Sequence, residues 1–171
     1  MGYWGITERE SDAGLDLLAV IADTQLKPAG YTVFNVEEAL ELVKAGCLDR
    51  IRRDCRGCSA ERLLYYINVN FHDYFTNGAL LIAECLADYY RTGALAITEY
   101  TGGSDSVDYY IKEFVVTQAD LKILLEELES VQDPEHEKYQ AWMEDSSREK
   151  WLAHIRSVCE ALEEHKTGTG E

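Results

Sequence analysis

Proline is nearly absent, with two in 171 residues, and so is methionine. So little proline leaves helices uninterrupted and excludes proline-rich spacers. Histidine numbers four, and only His72 precedes residue 130. That is too few for the multi-histidine site of a metal-dependent phosphohydrolase. Nowhere do about 20 apolar residues follow one another, so no membrane contact is expected. The opening residues lack the charged-then-apolar order of a secretory signal. Basic side chains number 16 against 32 acidic ones, a net charge of -16. Such a chain repels a phosphate backbone, so direct nucleic-acid binding is not expected. The charge suits a basic protein partner instead. A row of carboxylates spaced like phosphates would even mimic nucleic acid.

What is present is core material. Hydrophobic residues make up 46% and aromatics 11%, with 11 Tyr, which excludes disorder as the class. The length fits one domain over 1–166 with a frayed tail at 167–171. Cysteine numbers five, an odd count. With no secretory signal, reduced thiols in a cytoplasm are the expectation.

The central stretch runs from Thr76 through Ala79 to Tyr90. Only Glu84 and Asp88 carry charge between Ala79 and Tyr90, and Ala, Leu and Glu favour helix. A helix apolar on nearly all sides belongs in the middle of a domain, so a buried central helix is expected over about 79–91. Glu84 and Asp88 stand four apart and share a face. They read either as a carboxylate pair for metal or acid–base work, or as a solvent-facing stripe or acceptors for Tyr and Arg. No Glu-x-x-His partner accompanies them, as a carboxylate-bridged metal site would need, so no metal and no cofactor is expected.

The N-terminus, Met1-Gly2-Tyr3-Trp4-Gly5-Ile6, crowds glycine and large aromatics. Trp4 and Ile6 are anchors to the core, with Gly2 and Gly5 allowing close passage of backbone. Ser11 caps a helix reaching about Thr24. Asp12 and Asp16 lie on one side of it, and one of them is expected to orient the N-terminal segment by hydrogen bonds. Met-Gly-x-Trp-Gly followed by Ser11-Asp12-x-x-x-Asp16 resembles an uncharacterised family of small bacterial proteins, of the domain-of-unknown-function four-two-five-nine type. The match covers roughly the first two dozen residues. The resemblance implies a soluble, mainly helical bacterial protein and carries over no catalytic residue.

Lys27-Pro28-Ala29-Gly30 is a turn. Asn35 and Glu38 form a capping-box pattern for a short helix ending near Gly46. Next, Cys47 to Cys58 holds the basic cluster, with Arg50, Arg52, Arg53 and Arg56. A lone Cys55-x-x-Cys58 reads as a metal or redox pair, or as buried thiols at the end of a short helix. The arginines make Cys55 the more reactive sulfur if it is exposed. Ser59 caps the following helix, whose apolar stripe includes Leu64, Ile67 and Phe71. Its other flank, Tyr66, Asn70 and Asp73 with His72 beside them, reads as a ligand pocket, a buried polar network or a partner-binding face.

After Gly93 the period changes. Leu95–Tyr100 and Val107–Val116 are β-branched and aromatic, joined by a Gly-Gly tip, which predicts a hairpin over about 95–116. Such a ribbon must pack on helices or on another chain, so its edge is a possible homodimer contact. Thr117-x-x-Asp120, Asp133-Pro134 and Ser146-x-x-Glu149 start three more helices, with His154 and His165 on the solvent side of the last. The expected fold is mainly α, about seven helices around the central one. The function read from it is a non-enzymatic, acidic, immunity- or inhibitor-type protein-binding domain. The alternative is a small enzyme or ligand-binding domain using His72/Asp73 and Glu84/Asp88.

Overall fold

The computed structural model describes residues 5–102 and 104–167, with 68–73, 100, 102 and 167 as backbone alone. In order, a 3-10 turn (Glu8–Glu10) leads into α1 (Asp12–Ile21) and a π-helical turn (Ala22–Leu26). Then follow β1 (Val33–Asn35), α2 (Val36–Asp54), α3 (Ala60–Thr92), β2 (Leu95–Gly102), β3 (Asp105–Ile111), β4 (Glu113–Val115), α4 (Gln118–Ser130), α5 (Glu137–Gln140) and α6 (Asp145–Thr167). The mainly α class is as expected.

The caps that the sequence announces are made. Ser11 Oγ accepts the Gly14 N–H at 3.0 Å, Asn35 Oδ1 the Glu38 N–H at 3.2 Å, and Ser59 Oγ the Arg62 N–H at 3.3 Å. At α4 the box is reciprocal: the Asp120 N–H donates to Thr117 Oγ1 at 3.1 Å, and the Thr117 N–H to Asp120 Oδ2 at 2.8 Å. Each satisfies a first-turn donor that would otherwise be unpaired.

α3 is the axis, 33 residues and so about 50 Å long at 1.5 Å per residue. The helix expected after Ser59 and the central helix expected over about 79–91 are one. Gly78 does not break it. A Cβ there would overlap the Val43 and Leu17 side chains, so this glycine is where α1 and α2 come close to α3. Beyond it, Ala79 to Ala87 are buried on every side except at Glu84's polar contacts. α2 likewise runs through Gly46, to Asp54, because nothing at Gly46 interrupts the ladder and Arg52 and Arg53 suit its C-terminal turn. The expected helix at Asp133-Pro134 shrinks to the single turn of α5, capped by His136.

The strands differ from the expected hairpin at one end. β2 and β3 pair antiparallel, Leu95 opposite Ile111 and Thr98 opposite Asp108. The chain then leaves the ribbon, and β4 pairs in parallel with β1, Phe34 opposite Phe114. Aromatic stacking draws Phe114 away: its ring lies 4.8 Å from Phe34 and 4.5 Å from Tyr89. The ribbon itself packs inward. Leu95, Ile97 and Ile111 join the core, Tyr109 stacks on Tyr31 at 3.8 Å, and Glu99 accepts from Tyr31 Oη at 3.0 Å and Lys27 Nζ at 2.8 Å. Val107 and Tyr110 stay exposed, on opposite faces of the ribbon. α4 contributes Leu121, Leu124, Leu125, Leu128 and Val131 to the same core, and α6 contributes Trp151, Ile155, Val158 and Leu162.

Candidate functional site

Glu84 is buried, at 4% exposure. An ionised carboxylate so deep must be paired and hydrogen-bonded. Both its oxygens accept the backbone N–H of Glu8, at 2.9 and 3.0 Å. Nε2 of His154 stands 2.8 Å from Oε1, within hydrogen-bond distance. One turn along α3, Asp88 pairs with Arg9 and, at 4.0 Å, with Arg91. The carboxylate pair therefore grips the segment Glu8–Arg9 on one side of α3.

Glu8 belongs to the same system. Its side chain is 2% exposed and pairs with Lys138 Nζ at 2.6 Å, and that ammonium also donates to Asn77 Oδ1 at 2.6 Å. The Ser11 hydroxyl donates to the Glu8 carbonyl at 2.8 Å. Glu10 closes the turn, accepting from the Thr7 N–H and hydroxyl, each at 3.0 Å, and its carboxylate covers Gly5, where a Cβ would collide with it. Backbone donation from Thr7 chiefly, then the Thr7 hydroxyl, holds the Glu10 carboxyl below its ordinary value. α3, α5 and α6 thus supply one residue or more each to a polar clamp on the N-terminal segment.

His154 was expected on the solvent side of α6. Its side chain is instead 17% exposed, because the face that carries it meets Glu84. His165 is exposed as expected, its ring stacked on Tyr90 at 3.7 Å. Asp12 and Asp16 are exposed on the first two turns of α1. Glu84 and Asp88 hold the Glu8–Arg9 part of the N-terminal segment. Tyr66 is half-buried on α3. The side chains of Asn70, His72 and Asp73, and the whole of Gly2 and Trp4, lie outside the described residues. Glu8, Lys138 and His154 were not expected. Nothing local in the sequence marks them, since their partners lie 61 to 130 positions away; the buried status of Glu8 is visible only once α3 is placed.

Beside the clamp, α1, α2 and α3 enclose a cleft of about 220 Å³ lined by Asp16, Leu17, Cys47, Arg50, Tyr74 and Asn77, among others. The Arg50 guanidinium lies over the Tyr74 ring at 4.4 Å. The volume falls below the range of about 300–1,000 Å³ usual for small-molecule pockets. A second concavity of about 570 Å³ is open and acidic, lined by Glu126, Glu129, Ser130, Asp133, Glu135 and His136 at the end of α4. A third, of about 580 Å³, holds Gly46, Asp49, Arg52, Arg53 and Arg56.

The cysteines depart from expectation. Cys55 and Cys58 are joined in a disulfide, their Cα atoms 5.4 Å apart; the turn between α2 and α3 brings the two sulfurs together. Cys47, Cys85 and Cys159 are free, and burial above all pushes their thiols up to about 11, 12 and 11. Among the described residues no group of three or more His, Cys, Asp or Glu is placed to hold a metal, and no helix is long and apolar enough to cross a membrane. No protein-family model, curated protein or solved structure matches the chain.

Proposed function

We propose that this chain is a non-enzymatic binding protein of the immunity or inhibitor kind, whose acidic surface engages a basic protein. The observation that carries the reading is a cluster of carboxylates where the end of α4 meets α6, in a chain of net charge -16. Glu126, Glu129, Asp133 and Glu135 rim one open groove. Glu163, Glu129 and Glu160 all act on the Cys159 thiol, adding to the burial that raises it, so carboxylates of two helices share one field. Such a field steers a cationic partner and accelerates encounter. Glu84 and Asp88 are occupied in holding the N-terminal segment, which supports a structural role for them over the alternative, catalytic one. The likeness of the opening motif to the small bacterial family of unknown function is a proposal of kinship and brings no activity.

The experiment is affinity capture on the immobilised chain from its native host, with a Glu126→Lys/Glu129→Lys/Asp133→Lys variant alongside. A basic protein is expected that binds at low salt, weakens steeply as salt rises, and loses at least ~10-fold affinity to the variant. Equal retention by both chains, or retention of no basic protein, overturns the reading.

A further inference from the structure

Where α2 ends and α3 begins, Cys55-Arg56-Gly57-Cys58 forms a tight turn, the Cys58 N–H bonded to the Cys55 carbonyl at 3.0 Å. The two joined sulfurs sit in opposite surroundings. Cys55 is buried and caps the C-terminus of α2, where unpaired carbonyls present the negative end of the helix dipole. Cys58 is half-buried and stands just before Ser59, the N-cap of the 33-residue α3, at a positive end. A thiolate is therefore favoured at Cys58 over Cys55, the reverse of the expectation from sequence. The same corner gathers Arg52, Arg53 and Arg56, all exposed, along one groove whose single carboxylate, Asp49, pairs with Arg52 at 3.6 Å, in a chain where acidic residues outnumber basic ones 32 to 16.

We propose that Cys55 and Cys58 form a thiol–disulfide exchange centre whose outer sulfur, Cys58, meets a small anionic thiol or disulfide of the glutathione class. In the oxidising direction the Cys58 thiolate attacks one sulfur of the anionic disulfide. That S–S bond breaks, its electron pair leaves on the departing thiolate, and Cys58 holds the other half as a mixed disulfide. The Cys55 thiol loses its proton to water and attacks Cys58 Sγ. The second thiolate leaves, and the Cys55–Cys58 bond forms. The protein gives up two electrons and two protons, and one small disulfide becomes two thiols. Reduction by the same thiol retraces these steps. The arginines draw the carboxylates of the incoming molecule to the groove and stabilise the Cys58 thiolate. The three remaining thiols, raised by burial, are internal controls.

The test uses the full reduced chain with oxidised glutathione, quenched by acid and mapped by mass spectrometry. Cys55→Ser is expected to accumulate one glutathione adduct on Cys58, formed at least ~10-fold faster than any adduct on Cys55 in Cys58→Ser. The native chain is expected to pass through a transient adduct to the internal disulfide. In Arg52→Ser/Arg53→Ser/Arg56→Ser the rate with oxidised glutathione should fall several-fold, while the rate with uncharged bis(2-hydroxyethyl) disulfide changes less. Should a single-cysteine variant fail to fold by circular dichroism, alkylation of the reduced native chain decides, with Cys58 expected at least ~10-fold ahead of Cys55. Equal reactivity of the two sulfurs, a pair that stays reduced in oxidised glutathione, or a disulfide that opens only in denaturant overturns the proposal.

Discussion

Glu84 on the central helix takes the backbone N–H of Glu8 into both of its carboxylate oxygens, at 2.9 and 3.0 Å. The bond joins positions 76 apart and fixes where the N-terminal segment enters the fold. A hydrogen bond to a buried charge is among the stronger single contributions, so Glu84→Gln is expected to cost about 2 kcal/mol. It should also speed hydrogen exchange of the Glu8 amide ahead of the rest of the core. A denaturant melt together with amide exchange checks both, and a variant as stable as the native chain with an unchanged Glu8 amide contradicts the assignment.

The segment should also carry a small acid-dependent term through Glu10. Thr7 donates twice to its carboxylate and lowers the folded value below the ordinary 4.5. A lowered carboxyl contributes stability that is present above the unfolded value and lost as pH falls through the folded one. The denaturant midpoints of the native chain and Glu10→Gln should therefore differ at pH 7 and converge as pH falls through the lowered folded value. A difference that stays constant across the range would place the effect elsewhere.

Two glycines of adjacent helices should respond oppositely to the same change. A Cβ at Gly78 meets Val43 and Leu17, whereas at Gly46 it meets nothing within 4 Å. Gly78→Ala should lose about 1–3 kcal/mol by overpacking. Gly46→Ala, in the exposed middle of α2, should gain about 0.8 kcal/mol of helix propensity. Thermal melts of the two single variants suffice, and a stabilised Gly78→Ala would show that α1 and α2 do not close over α3 there.

The contrast between these glycines also marks how far the sequence could be read. Caps at Ser11, Asn35, Ser59 and Thr117 are local, made within three residues, and each was legible. The apolar run Ala79–Ala87 was legible as interior for the same reason. At Gly78, glycine's local tendency to break a helix competes with its use in close packing, and only the placement of Val43 decides. The β1–β4 pairing joins Phe34 to Phe114, far apart in the chain, and left no short-range signal. His154 looked solvent-facing because it lies off the apolar stripe of Trp151, Ile155 and Val158 and near the polar side of α6; Glu84, the residue that draws it inward, lies on another helix.

Lys138 and Glu8 give the sharpest energetic test of the clamp. At 10% and 2% side-chain exposure, 2.6 Å apart, they form an ion pair whose loss would leave one charge buried without its partner. Lys138→Met should therefore cost about 3–5 kcal/mol, far more than the median exposed pair, at about 0–1 kcal/mol. Pairing it with Glu8→Gln removes the charge that Lys138 neutralises, so the double variant should be more stable than Lys138→Met alone. A double-mutant cycle from denaturant unfolding measures the coupling. If the two losses simply add, the carboxylate of Glu8 is not held by Lys138, and the clamp rests on Glu84 and Asp88.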